Sequence, residues 1–351
     1  RCSMKKNSIY TLVALVAVVA FIFFAQSNLD NFTLRILNLC AIFAILGLSL
    51  NLINGFTGQF SLGHAGFMAI GAYTTAILTI SPAMKQMIYV NVPIVKCLEN
   101  LRAPFPIALI IAGLLTAVIG FFVSAPVLKL KGDYLAIATL GFSEIIRILF
   151  TNMSSITNGA AGLKAIPQAT NLWWTFGIVA VTTLVLTSLI NSSYGRALKA
   201  IREDEIAAES MGINLFKHKI IAFVIGAFFA GVGGGLLGNL ITSIDPNYFK
   251  FTITFNILLI VVLGGIGSIT GSIIAAFIVT IVDQMLVALD MPMNLGFINY
   301  PGIPGIRMVV FSAALMLVVL FYRNGLMGTN EFSWDGFFGL FKRKKKTGGA
   351  K

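Results

Sequence analysis

Few residues in this chain could perform covalent chemistry. The two histidines, His64 and His218, fall in different segments, and Cys2, Cys40 and Cys97 show neither paired nor metal-like spacing. No HExxH, GxSxG or GxxxxGK[ST] occurs, so neither a zinc hydrolase, a serine hydrolase nor a P-loop is encoded. "GGIGSITG" at 264–271 is glycine-rich, but it does not fit GxGxxG and follows no expected strand. What remains is a set of polar groups embedded in apolar sequence: Asn38, Asn51, Gln59, His64, Glu144, Arg147, Asn256 and Asp283. Such groups are costly at membrane depth and usually face a bundle interior or a water path. Glu144 and Arg147, three apart on one helix, can neutralise each other. His64 has no acid nearby in sequence and reads either as a hydrogen-bonded packing residue or as a proton relay. Only Glu144 and Asp283 are acids at this depth, a poor set for a gradient-coupled transporter.

Small residues form a second pattern. "GAFFAGVGGGLLGN" places Gly226, Ala230, Gly234 and Gly238 at four-residue steps, the spacing that lets another helix backbone come close. In "NGFTGQFSLGHAGFMAIGAY", Gly63 and Gly71 stand eight apart and are expected on one face, after a tight turn at "NGFTGQ". A third pattern is the polar loop 191–218. Its helix formers from Arg196 to Met211 predict one or two short helices ended by Gly212. Glu203, Asp204, Glu205 and Glu209 interleave there with Arg196, Lys199 and Arg202. This reads either as a solvated face or as a docking helix for a soluble partner.

The elements that must position these groups are membrane helices. The chain of 351 residues is 57% hydrophobic and 11% charged, against roughly 25% charged in soluble domains. Apolar runs lie at 9–26, 32–53, 60–80, 105–128, 134–151, 172–190, 219–241, 252–265, 270–290 and 305–322. Most are long enough to cross a bilayer core. The fold class is therefore an all-α integral membrane protein of about ten transmembrane helices, with 252–265 short or partly re-entrant. With the N-terminus inside and all ten crossing, 17 Lys and Arg residues fall in inside loops and 5 in outside loops, as the positive-inside rule requires. The charge of +12 thus belongs to loops at a membrane and does not indicate nucleic acid. Three parts follow: a cytoplasmic N-terminus at 1–8, a transmembrane domain at 9–322 with the inside loop 191–218, and a cytoplasmic basic tail at 323–351. The opening "RCSMKKNSIY" reads as a start at Met4, and the first run as a retained helix, since no clear A-x-A site follows it. The tail "EFSWDGFFGLFKRKKK" reads as an interfacial helix on membrane lipid or as a solvated tail.

Six stretches in order carry a resemblance: "NGFTGQFSLGHAGFMAIGAY", "LKLKGDYLAIATLGFSEIIR", "TNGAAGLKAIP", "YGRALKAIREDEIAAESMGIN", "VVLGGIGSITGS" and "FYRNGLMG". Over roughly Leu34 to Gly328 the chain resembles the membrane permeases of bacterial branched-chain amino acid ABC importers, of the LivM type. The resemblance implies a larger-class (type II-like) importer permease fold in the bacterial cell membrane. It implies import of Leu, Ile and Val, a sister permease of LivH type, two cytoplasmic ATPases that bind the ATP and Mg, and an external substrate-binding protein. No cofactor is expected in this chain, which is then a transport subunit and not an enzyme. The loop with Gly195, Arg196, Ala200, Arg202, Glu203, Glu205, Ala207, Ala208 and Gly212 would couple to the ATPases. Ala207, Ala208 and Gly212 match the EAA-x3-G pattern of such permeases, while Ile206 stands in place of its Glu and Glu205 one position earlier. Ser272 stands where many relatives have proline, an expected effect on local helix geometry. An aliphatic zwitterion needs an apolar route with a few polar groups, for which Gln59, Ser61 and His64, and Thr157, Asn158 and Gly159, are the candidates. The outer loops 81–104 and 152–171 would face the binding protein. Permeases for urea, short amides or other amino acids share these features; a gradient-driven carrier and a membrane enzyme or scaffold are the alternatives from other classes.

Overall fold

The computed structural model describes residues 16–89, 92–130, 132–287, 293–294, 299–300, 305–306, 309–310, 312–313, 316, 325–328 and 331. Its helices are α1 (Val16–Asn28), α2 (Asn31–Asn51), α3 (His64–Thr79), α4 (Pro82–Ile88), α5 (Lys96–Glu99), α6 (Phe105–Val127), α7 (Asp133–Asn152), α8 (Ser154–Thr157), α9 (Leu172–Asn191), α10 (Ser193–Glu203), α11 (Glu205–Ser210), α12 (Leu215–Ile241), α13 (Phe251–Gly264) and α14 (Ile269–Leu286). Two short strands, β1 (Met293–Asn294) and β2 (Asn299–Tyr300), pair antiparallel. The N-terminal run before Val16 and most of the run 305–322 and of the tail lie outside the described residues.

Six described helices are long and apolar enough to cross a membrane: α2 with its continuation to Phe56, α6, α7, α9, α12 and α14. A seventh is the pair α3 and α4 if counted as one span bent by 118°. α13 is the short element that the sequence predicts, at 14 residues.

Burial sorts these helices. The apolar windows of α2 and α12 are 83% and 72% buried, those of α9 and α7 only 22% and 28%. α2 and α12 thus form the inside of the bundle, and the small residues of α12 explain its place there. A Cβ at Gly234 would stand 2.1 Å from the Met68 carbonyl oxygen, and one at Gly71 only 1.9 Å from that of Gly231. Backbones of α3 and α12 are therefore in direct contact, which only glycine permits. Gly226 lies against Ile53 and Ser49 of the α2 segment, Gly238 against Ala72 of α3, and Ala230 is fully buried between them. The four-step row therefore passes from one neighbour to the next, because such rows are inclined to the helix axis.

Two sequence expectations need correction. Gly63 and Gly71 do not share a neighbour: Gly63 caps α3 and approaches the Thr139 carbonyl of α7, whereas Gly71 meets α12. Eight steps of about 100° leave about 80° between the two positions, and Gly63 precedes the helix. The tight turn is also later than expected. Leu52–Phe56 continues α2 as a π-helical turn, and the chain reverses only over Thr57–Gly63.

At the opposite end of the bundle the loops 81–104 and 152–171 pack on each other. The Val95 N–H donates to the Ser155 carbonyl at 3.2 Å, and the Tyr89 hydroxyl donates to that of Ile156. Buried Lys85 donates to the Leu98 and Leu101 carbonyls, both at 2.7 Å. Burial pulls the Lys85 ammonium below its ordinary pKa and pushes the Tyr89 hydroxyl up to about 12. Leu163 and Ile244 exchange backbone hydrogen bonds of 2.9 Å, joining the second loop to the end of α12.

Candidate functional site

The polar loop folds as two helices. Ser192 caps α10 by accepting from the Gly195 N–H at 3.4 Å. Gly195, Leu198 and Ile201 form its buried face, and Arg196, Lys199 and Glu203 point away, with Ala200 half-buried. The corner between α9 and α10 requires Gly195, since a Cβ there would lie 2.2 Å from the Ile190 carbonyl oxygen. Gly195→Ala is expected to force this corner open and to destabilise the purified protein by about 1–3 kcal/mol through overpacking, read as a lower thermal midpoint. A midpoint equal to that of wild type would refute the requirement.

Asp204 caps α11 by accepting from the N–H groups of Ile206 and Ala207, at 2.8 and 3.0 Å. The helix ends where Gly212, at φ +83°, donates to the Glu209 carbonyl at 2.9 Å, a left-handed position that suits glycine. Glu205 pairs with Lys219 at the start of α12. Ala208 is buried and Ala207 exposed. Ile206, which replaces the expected Glu, is 77% exposed, and Met211 is 83% exposed.

Arg202 fastens this helix pair to the bundle. Its Nη1 donates to the Gly55 carbonyl in the π-helical turn at 3.2 Å, while Nε and Nη2 hold Glu203 Oε1 at 3.1 and 2.6 Å. Gly58 and Gly267 leave room for it: a Cβ on either would come within about 3 Å of the Arg202 side chain. Gly267 belongs in turn to Asn51. The Asn51 amide donates to the Ser268 carbonyl at 2.9 Å and to Ser272 Oγ at 2.8 Å, and accepts from the Gly267 N–H at 2.9 Å. Ser272 passes its own proton to the Ser268 carbonyl at 2.9 Å. Its hydroxyl thus joins the network, a role beyond the local geometry that the sequence suggests.

Glu331 completes this node. Its carboxylate accepts from the Ile269 and Thr270 N–H groups at 2.7 and 3.2 Å and from the Thr270 hydroxyl at 3.0 Å. An anion suits the first turn of α14. The Leu326 and Met327 N–H groups donate to the carbonyls of Leu263 and Gly264 at 2.7 and 3.3 Å, so residues 325–328 dock on "VVLGGIGSITGS". A cleft of about 500 Å³ beside the node is bordered by Thr183, Thr187, Lys199, Arg202 and Glu331. Asn51 stands out in the sequence as a polar residue at depth; Glu331 and Ser268 carry no local signal.

The other candidates divide between the two ends. Gln59, Ser61 and His64 are buried beside the node. His64 Nε2 lies 2.7 Å from Ser49 Oγ, which is also 2.8 Å from the Leu46 carbonyl oxygen. The His64 Nδ1 and both polar atoms of the Gln59 side chain have no hydrogen-bond partner among the described residues. Thr157, Asn158 and Gly159 belong to the opposite end, where the Asn158 amide donates to the Gly162 carbonyl at 2.9 Å. Arg147 Nε donates to Glu144 Oε1 at 2.8 Å, and Nη1 reaches Asn247 Oδ1 at 3.4 Å. The pair neutralises itself within one helix, as its spacing suggests.

A family described as the permease component of branched-chain amino acid transport systems matches residues 32–320. The chain is 35% identical over 318 residues to the high-affinity branched-chain amino acid transport system permease protein LivM of Escherichia coli (strain K12), covering 81% of this chain and 69% of that one. The probable LivM of Methanocaldococcus jannaschii is 28% identical over 327 residues, covering 82% and 90% of the two chains. The LivH permease protein of Escherichia coli (strain K12) is 28% identical over 330 residues, covering 89% and 97%. With a helical bundle of membrane spans and a match across most of its length, the chain belongs to the family of branched-chain amino acid transport system permease components.

Proposed function

We propose that this chain is the membrane-spanning permease subunit of an ATP-driven importer for Leu, Ile and Val. About ten helices of a type II-like importer fold would cross the bacterial cell membrane, with both termini and the α10–α11 pair in the cytoplasm. A sister permease of LivH type would complete the path, two cytoplasmic ATPases would bind ATP and Mg, and an external binding protein would dock on the joined loops 81–104 and 152–171. The observation that carries this reading is the α10–α11 pair itself. It exposes Ile206 and Met211 to a partner and is pinned by Arg202 to the turn that ends α2. Closure of the ATPases would push this pair. The node would pass the movement to α2 and to α14 through Asn51 and Gly267, shifting the population between outward- and inward-open states. Gln59, whose buried amide lacks partners among the described residues, and His64, whose Nδ1 does, are the path residues this reading favours.

The test is reconstitution with both ATPases, the sister permease and the binding protein in vesicles. ATP-dependent accumulation of leucine, lost when residues 196–212 are deleted, is the expected result. Transport that persists after the deletion refutes the coupling role. Uptake of urea or an amide in place of leucine changes the cargo, and uptake driven by an ion gradient without ATP replaces the class.

A further inference from the structure

At the end of the bundle opposite the node, a cleft of about 490 Å³ opens between the end of α1, the first turns of α2 and α9, and Leu240 at the end of α12. Its wall is polar, with Asn31, Arg35, Asn38, Gln168 and Asn171, and no acidic residue borders it. Asn38 is committed elsewhere: it donates to the Leu34 carbonyl at 2.9 Å and accepts from the Thr175 hydroxyl at 2.8 Å. Arg35 is exposed and makes no ion pair or hydrogen bond among the described residues. The first turns of α2 and α9 and the last turns of α1 and α12 all border the cleft, so helix ends of both signs meet there, and Arg35 is the one charged side chain on its wall.

The rim identifies the ligand. Phe32 borders it, and Phe23, Phe24, Trp173 and Trp174, on the α1 and α9 segments that supply Gln26 and Leu172 to its wall, are exposed. Trp173 packs edge-on to Phe23 at 4.9 Å, with its indole N–H on Gln26 Oε1 at 3.0 Å. An exposed Trp, with an apolar ring and one polar N–H, marks the level of lipid headgroups. α9 is also among the most outward-facing helices of the bundle. An arginine at that level, without an ion-pair partner among the described residues, suits a lipid phosphate. We infer that this cleft binds the headgroup of one phospholipid, with Arg35 on the phosphate and the acyl chains lying along α1 and α9. The cleft is large enough for a headgroup, within the usual 300–1,000 Å³ of ligand sites. The inference needs a membrane but does not depend on which substrate is carried.

The full chain, expressed with its partner subunits and purified in detergent, provides the test. Wild type is expected to retain phospholipid through extensive washing, read as bound mass by native mass spectrometry, and Arg35→Gln to retain at least tenfold less. After delipidation, dihexanoyl phosphatidylglycerol should raise the thermal midpoint of wild type and not that of Arg35→Gln. Asn31→Asp guards against a folding artefact, because an acid in the first turn of α2 suits the helix yet places negative charge in the cleft. It should keep the wild-type midpoint without lipid and lose the lipid-induced shift. An Arg35-dependent shift with inorganic phosphate alone, or with leucine, would make the cleft a free-anion or substrate site and overturn the inference. Equal lipid retention by wild type and both variants would do the same.

Discussion

Replacing Arg202 with alanine is expected to lower ATP-driven uptake at least tenfold while the permease still folds and assembles. The guanidinium is the direct tie between α10 and the π-helical turn, through Gly55. Hydrogen bonds from charged groups contribute about 1.5–3 kcal/mol, which converts to roughly 10- to 150-fold in any equilibrium that depends on them. Folding should survive, because Leu198 and Ile201 still anchor α10 to the bundle. Arg202→Lys keeps the charge and loses the fork that holds Glu203 while reaching Gly55, so it should fall between the two. The measurement is uptake and ATP hydrolysis in the same vesicles. Hydrolysis that continues while uptake falls is the signature of lost coupling. Uptake within twofold of wild type in Arg202→Ala would remove Arg202 from the mechanism.

The largest effect on stability should come from Gly71→Ala. A methyl group there would enter the Gly231 backbone at 1.9 Å, and neither backbone can rotate away as a side chain can. Overpacking typically costs about 1–3 kcal/mol and occasionally more; a backbone obstacle puts this site at the upper end. Since net stabilities are only about 5–15 kcal/mol, folded yield should fall severalfold. The same change elsewhere in the bundle supplies the control. At Gly238 the nearest atom is 3.5 Å away, and at Gly141 nothing lies within 4 Å. Alanine at these two positions should be neutral or stabilising, because glycine costs a helix interior about 1 kcal/mol. Thermal midpoints in one detergent decide the matter: Gly71→Ala must fall clearly below both controls.

Much of this was legible from local pattern. Among the described residues, the apolar runs from 32–53 to 270–290 predict the helix boundaries to within a few residues, down to the short run that becomes α13. The loop 191–218 reads as one or two short helices ended by Gly212; it forms two, and Gly212 closes the second. The spacing of Glu144 and Arg147 foretells their pairing. Each of these depends on residues within a few positions of one another. The coupling residues are legible as types but not as partners. Arg202 finds Gly55 at a separation of 147 residues, and Asn51 finds Ser268 at 217. Glu331 could not be singled out, because one acid in a polar tail is ordinary until a helix N-terminus is placed against it.

By itself the sequence determined that this is a helical membrane bundle of the permease family, where its helices run and which loop is polar. Hydropathy and helix caps are local properties of the chain, so they can be read in order. The tertiary structure decided what each glycine touches, that Gly63 and Gly71 serve different neighbours, and that α2, α10, α14 and Glu331 meet in one node. It also decided that Arg35 looks into a cleft with no acid opposite it. Those outcomes depend on how inclined helices pack in three dimensions, and one periodic stripe is compatible with several neighbours until all of them are in place.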